Sequence, residues 1–162
     1  MMLIDTSLYI AAVDDNEMEA LLGELAQKTF VQSCEIIDRE IHDSMEMLRS
    51  SGRKQQAEQL GILYDKIHQG SIRESGRIIE LAQEYHKNAG LSRKQHKDID
   101  NDFLIVASAS VAGVAAIASL NRKTMSSEGM VRVYTLINSK NRHKTPAFAT
   151  TKETLRQLLK SL

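Results

Sequence analysis

At 162 residues the chain has the length of one compact domain, because a single core serves well up to about 150 to 200 residues. Its 42% hydrophobic and 26% charged residues exclude a disordered chain, and 4% aromatics without tryptophan leave the core to Leu, Ile, Val, Ala and Met. The charge balances at 21 basic against 21 acidic residues, which argues against a uniformly basic nucleic-acid binder but leaves room for an acidic site beside a basic track.

Met1-Met2-Leu3-Ile4 is an apolar run too short for a helix, and the cap residues Asp5-Thr6-Ser7 follow at once, so the spacing predicts strand, cap and helix. Leu8, Ile10, Ala11 and Ala12 continue that helix, and after Asp14-Asp15-Asn16 a second one carries Met18, Leu21, Leu22 and Leu25. Thr29-Phe30-Val31 predicts a second short strand, with Ser33 as the cap after it. Beyond it Ile37, Ile41, Met45 and Leu48 recur every three or four positions, the mark of an amphipathic helix, with Asp38 and Glu40 near its start. Ser50-Ser51-Gly52 breaks the pattern. Helices are expected over 54–68, ended by Gly70, and over 75–88, with Gly90 as a C-cap.

Residues 92–102 are polar apart from Ile99: Arg93, Lys94, His96 and Lys97 give way to Asp98, Asp100 and Asp102. Phe103-Leu104-Ile105-Val106-Ala107 then predicts a buried helix, and beyond Gly113 residues 114–118 predict a third strand ending at Ser119-Leu120-Asn121. Serines and a glycine interrupt the apolar stretch 103–120, so no membrane span is expected. The tail predicts a helix over 127–138, a basic loop with Lys140, Arg142, His143 and Lys144, Pro146, and a last helix over 151–162 with Thr150 and Glu153 as a capping box. Short strands separated by helices imply an α/β fold, a three-layer sandwich around a central, mainly parallel sheet, in one domain over 1–162 with a helical insertion at about 50–90. The lone Cys34 and the lack of a leader-like start predict a cytoplasmic protein.

Sites in open parallel sheets collect beyond the carboxyl ends of the strands. That rule selects Asp5 after the first strand, Asp38 and Glu40 after the second, Asp100 and Asp102 before the buried helix, and Asn121 after the third. Carboxylates gathered there repel one another unless a cation neutralises them, and oxygen ligands favour Mg²⁺ or Mn²⁺. Such a centre suits phosphodiester hydrolysis, since the metal activates water and stabilises charge on the phosphate. Arg122 and Lys123 flank the acids and are candidates for phosphate contact. His96, His143 and Cys34 lack a metal-ligand spacing or a paired partner.

Four segments carry a family resemblance. LIDTSLYIAA resembles the start of a PIN domain, where a strand delivers an aspartate followed by Thr-Ser; VQSCEIIDREI resembles its second motif, with Glu40 before Ile41 the better match and Asp38 and Glu35 the alternatives. NDFLIVASA is similar to the third motif, which assigns the acid to Asp102, and VAAIASLNRKTM is similar to the strand and polar turn that close the site. The resemblance implies a divalent-metal-dependent ribonuclease acting on RNA, with Asp5, Glu40 and Asp102 catalytic and metal-binding and Asp100, Asp98 or Asn121 completing the ligand set. It further implies a toxin-like or RNA-processing role, an antitoxin or other protein partner, and a homodimer. The last motif often carries an aspartate where this chain has Lys123-Thr124, which makes a catalytically degenerate RNA- or protein-binding module the alternative.

Overall fold

The structure, a computed structural model, describes residues 1–90 and 96–162, with the side chains of 96–99 excepted. The elements are β1 (Met2–Ile4), α1 (Thr6–Val13), α2 (Asn16–Lys28), β2 (Val31–Cys34), α3 (Glu35–Ser50), α4 (Lys54–Ile67), β3 (Gly70–Ile72), α5 (Gly76–Asn88), α6 (His96–Val111), β4 (Ala116–Ala118), α7 (Glu128–Lys140), β5 (Ala147–Ala149) and α8 (Lys152–Ser161). The strands form one all-parallel sheet in the order β3-β2-β1-β4-β5, with Leu3 in register with Gln32 on one side and Ile117 on the other. Every residue of β1 and β4 is buried, as expected where helices cover both faces, and this is why these strands read as apolar runs without alternation. Helices α1, α2, α4 and α8 pack among themselves, α5 packs on α6 and α7, and α3 touches both α4 and α6. The result is the expected three-layer sandwich. Among the described residues no helix is long and apolar enough to cross a membrane.

Local sequence explains the turns that hold the layers. At the end of α3 the Gly52 N–H donates to Arg49 O at 3.1 Å and the Arg53 N–H to Leu48 O at 2.9 Å, a paired closure that needs Gly52 at φ 81°. The chain then returns as α4, and Gly61 lets Met45 of α3 come close: a Cβ there would lie 2.9 Å from the Met45 Cε.

Several elements differ from the sequence expectation. The segment 50–90 is no purely helical insertion, because β3 within it forms an edge of the sheet and its two helices pack on different partners, α4 with α3 and α5 with α6. Gly70 opens that strand. β5 was hidden behind the basic loop, and α8 is capped one residue later than expected, by Thr151 with Thr154 as its reciprocal partner, since Thr150 follows the end of β5. Ser33 lies inside β2 and is buried; the N-cap position of α3 falls on Cys34. Asp100 and Asp102 stand within α6, which begins at His96, so neither is a residue of a preceding loop.

Asp38 ties four elements together. Its Oδ1 accepts hydrogen bonds from Ser33 Oγ at 2.5 Å and from Tyr64 Oη, and its Oδ2 accepts one from Ser71 Oγ at 2.6 Å, which joins β2, α3, α4 and β3. Burial, followed by the bond to Asp38, holds the Tyr64 hydroxyl protonated far above the usual phenol range. Asp38→Ala would take the shared acceptor from three hydroxyls, leaving Tyr64 only Ser33 Oγ and Ser33 only the Cys34 carbonyl among the described residues. It is expected to cost about 2–3 kcal/mol, read as a lower urea midpoint at unchanged m-value.

Candidate active site

The direction of strand order reverses at β1, with β2 on one side and β4 on the other. A crevice at such a point, beyond the carboxyl ends, is where open α/β sheets place ligands. Asp5 leaves β1 there, its N–H donating to Ala118 O of β4 at 2.9 Å. It occupies the N-cap position of α1 in an extended conformation, yet its side chain makes no capping bond. Its Oδ2 instead accepts from Ser7 Oγ at 2.5 Å and Ser119 Oγ at 2.7 Å. Those hydroxyls are themselves fixed, Ser7 Oγ accepting the Leu120 N–H and Ser119 Oγ the Asn121 N–H, each at 3.0 Å. The turn after β4 is thereby stapled to the acid after β1.

Glu40 reaches the same crevice from the second turn of α3. Its Oε2 accepts from Thr6 Oγ1 and its Oε1 from Asn101 Nδ2, both at 2.8 Å. Asp102 enters from the second turn of α6 and is buried. Asn121 Nδ2 donates to its two oxygens at 3.2 and 3.1 Å, and Thr124 Oγ1 lies 2.5 Å from Oδ2 and 2.7 Å from Asn121 Oδ1.

The electrostatics report the same convergence. Burial, then the charges of Asp5 and Glu40, push the Asp102 carboxyl up to about 7, against the opposing donors Thr124 and Asn121. Tyr134, fully buried on α7, has a hydroxyl without a partner among the described residues, and burial together with the Asp102 charge holds it protonated.

The structure brings together Asp5, Glu40, Asp102, Asn121 and Thr124, and separates the remaining candidates from them. Asp38 is engaged in its own hydroxyl network, and Glu35 is exposed in the first turn of α3. Asp100, expected as a ligand, instead pairs with His86 Nδ1 at 2.8 Å, because its place on α6 turns it toward α5. Asn121 belongs to the site, but its amide nitrogen faces Asp102 and its oxygen accepts the Thr124 N–H at 3.2 Å. Arg122 and Lys123 are exposed beside it, Arg122 Nε donating to Thr150 O at 3.3 Å. Lys140, Arg142, His143 and Lys144 lead into the amino end of β5, at the end of the strands opposite the crevice. Burial pushes the Cys34 thiol up to about 12, which removes it as a nucleophile. Arg93, Lys94 and the side chains of His96, Lys97 and Asp98 lie outside the described residues.

Sequence reasoning missed the donors. Thr6, Ser7, Asn101 and Ser119 each hold an acid, and the available signal was adjacency: Thr6 and Ser7 follow Asp5, Asn101 precedes Asp102, and Ser119 ends β4.

Among the described residues no three His, Cys, Asp or Glu side chains form a ready-made metal cage. The chemistry of the donor set nevertheless suits a hard cation: three carboxylates face one crevice, near enough for the charges of Asp5 and Glu40 to raise the Asp102 carboxyl, and every hydrogen-bond partner they have among the described residues is a neutral hydroxyl or amide. No protein-family model, curated protein or solved structure matches the chain.

Proposed function

We propose that this chain is a PIN-type, divalent-metal-dependent endoribonuclease that hydrolyses RNA phosphodiester bonds through Asp5, Glu40 and Asp102. The observation that carries this reading is the convergence of three acids on the β1–β4 crevice, whose hydrogen-bond partners among the described residues are all neutral. A cation of the Mg²⁺ or Mn²⁺ kind bound there supplies positive charge to the phosphate and lowers the pKa of water. Asp5, held by two serine hydroxyls, would be the fixed ligand; Glu40, half-buried, stands toward the solvent side; Asp102, raised by burial and then by the charges of Asp5 and Glu40, would exchange its proton for the cation. The test is cleavage of a mixed RNA pool with and without Mn²⁺. Metal-dependent cleavage supports the reading, and an inert protein overturns it.

Arg122 and Lys123 follow the acids' turn directly and are placed to meet the RNA backbone. The double substitution Arg122→Ala, Lys123→Ala is expected to weaken single-stranded RNA binding and to flatten the slope of log K against log salt by about 1.4. Fluorescence anisotropy across a salt series measures this; an unchanged slope removes both residues from the binding track.

One observation favours a second reading, a binding module that no longer cuts. Thr124 stands where the resemblance expects an acid, and with Asn121 it fills the oxygens of Asp102. RNA binding without metal uptake in a Mn²⁺ titration selects that reading. The toxin-like or RNA-processing role, the homodimer and the antitoxin or other protein partner follow from the resemblance alone, and the cytoplasmic setting from the lone Cys34.

A further inference from the structure

Glu40 is the one acid of the three carried on a long side chain and left half-exposed. A free glutamate there has rotamers that leave the crevice, so ordering it costs conformational entropy. Its two oxygens are held one each from opposite sides. Thr6, the residue after Asp5, donates to Oε2, and Asn101, the residue before Asp102, donates to Oε1. The sequence neighbours of the other two acids therefore locate the third. Thr6 is buried and rides on the β1–α1 junction, whereas Asn101 is exposed on α6 and turns its amide to Glu40.

We propose that Asn101 is a positioning residue that fixes Glu40 against the other two acids and so sets the affinity of the site for a divalent cation. The proposal rests on the metal reading above. Outer partners that orient metal ligands are typically worth about 10- to 100-fold in affinity or activity. With Glu40 already held through Thr6, the lower end applies to Asn101.

The probe is Mn²⁺ alone, followed by the loss of its free-ion electron-paramagnetic signal on binding to the full chain. Asn101→Ala is expected to weaken Mn²⁺ binding about tenfold. Asn101→Leu, which keeps the bulk and removes the donor, should match it. In a Glu40→Gln background Asn101→Ala should change affinity less than about twofold, because the carboxylate it positions is gone. Thermal melts of the metal-free variants check that each is folded; Asn101 is exposed, so its substitutions leave the core untouched. If wild type binds Mn²⁺ and Asn101→Ala binds it equally, the positioning role is overturned while the nuclease reading stands. If Asn101→Ala costs the same in both backgrounds, its effect is structural and the proposal is likewise overturned. If wild type takes up no Mn²⁺, both readings fall together.

Discussion

Asp5→Asn is expected to lower RNA cleavage on the order of 10³-fold while leaving the protein folded and no less stable. The amide oxygen of Asn can still accept the Ser7 and Ser119 hydroxyls that now bond Oδ2, so the staple between β1 and the turn after β4 survives. What disappears is a charge in the crevice, and with it both a proposed cation ligand and a source of repulsion on Asp102. An ordinary capping aspartate would behave in the opposite way, losing stability with substitution and affecting no chemistry, but Asp5 makes no side-chain cap bond to α1. Single-turnover cleavage of RNA, read beside urea melts of the same samples, separates the outcomes. Retained cleavage in Asp5→Asn would sink the assignment of the site.

The second large effect is a pH-dependent stabilisation by metal. The Asp102 carboxyl ionises at about 7 in the folded protein against an ordinary 3.8, so between those values the folded state holds a proton that the unfolded chain has released. The contribution of this group to stability is therefore full below the ordinary value and is lost as pH rises through about 7. At 1.36 kcal/mol per unit its ceiling is about 4 kcal/mol. Without metal the melting temperature should fall between about pH 5 and pH 8; Mn²⁺ should restore it at the upper end and do little at the lower, since protons and cation compete for the same oxygens. Asp102→Asn should flatten both trends. Melts at the two pH values with and without Mn²⁺ decide the matter, and an equal metal effect at both would contradict a cation held by Asp102.

What was legible in the sequence follows from how each feature is encoded. β1 and β4 announce themselves because burial on both faces demands continuous apolar residues, and α3, α5 and α7 because a one-sided face demands a 3.6-residue period. β3 and β5 carry no such signal. Each is three residues long at a sheet edge, with exposed Ser71 or Ala147, and only pairing with β2 or β4 makes a strand of Gly70-Ser71-Ile72 or Ala147-Phe148-Ala149. The acids were legible because they fall at strand ends and early helix turns. Choosing among them was harder: Asp38 and Glu40 sit two positions apart on α3, and the helical rotation between them sends one to the hydroxyls of β2, α4 and β3 and the other to the crevice. Asp100 and Asp102 divide in the same way, one facing His86 and the other Asn121.

The central strand is also the first one made. β1 pairs with β4, and the Ser119–Asp5 bond spans 114 residues of chain. At about 5 to 20 residues per second of synthesis, β1 waits roughly 6 to 23 s for the strand and turn that complete its carboxyl end. For most of that interval β2 is the one sheet neighbour of β1 already made, and Asn121 and Thr124, which hold Asp102, are made only after it. On this connectivity the crevice and its three acids are complete only once most of the chain has been translated.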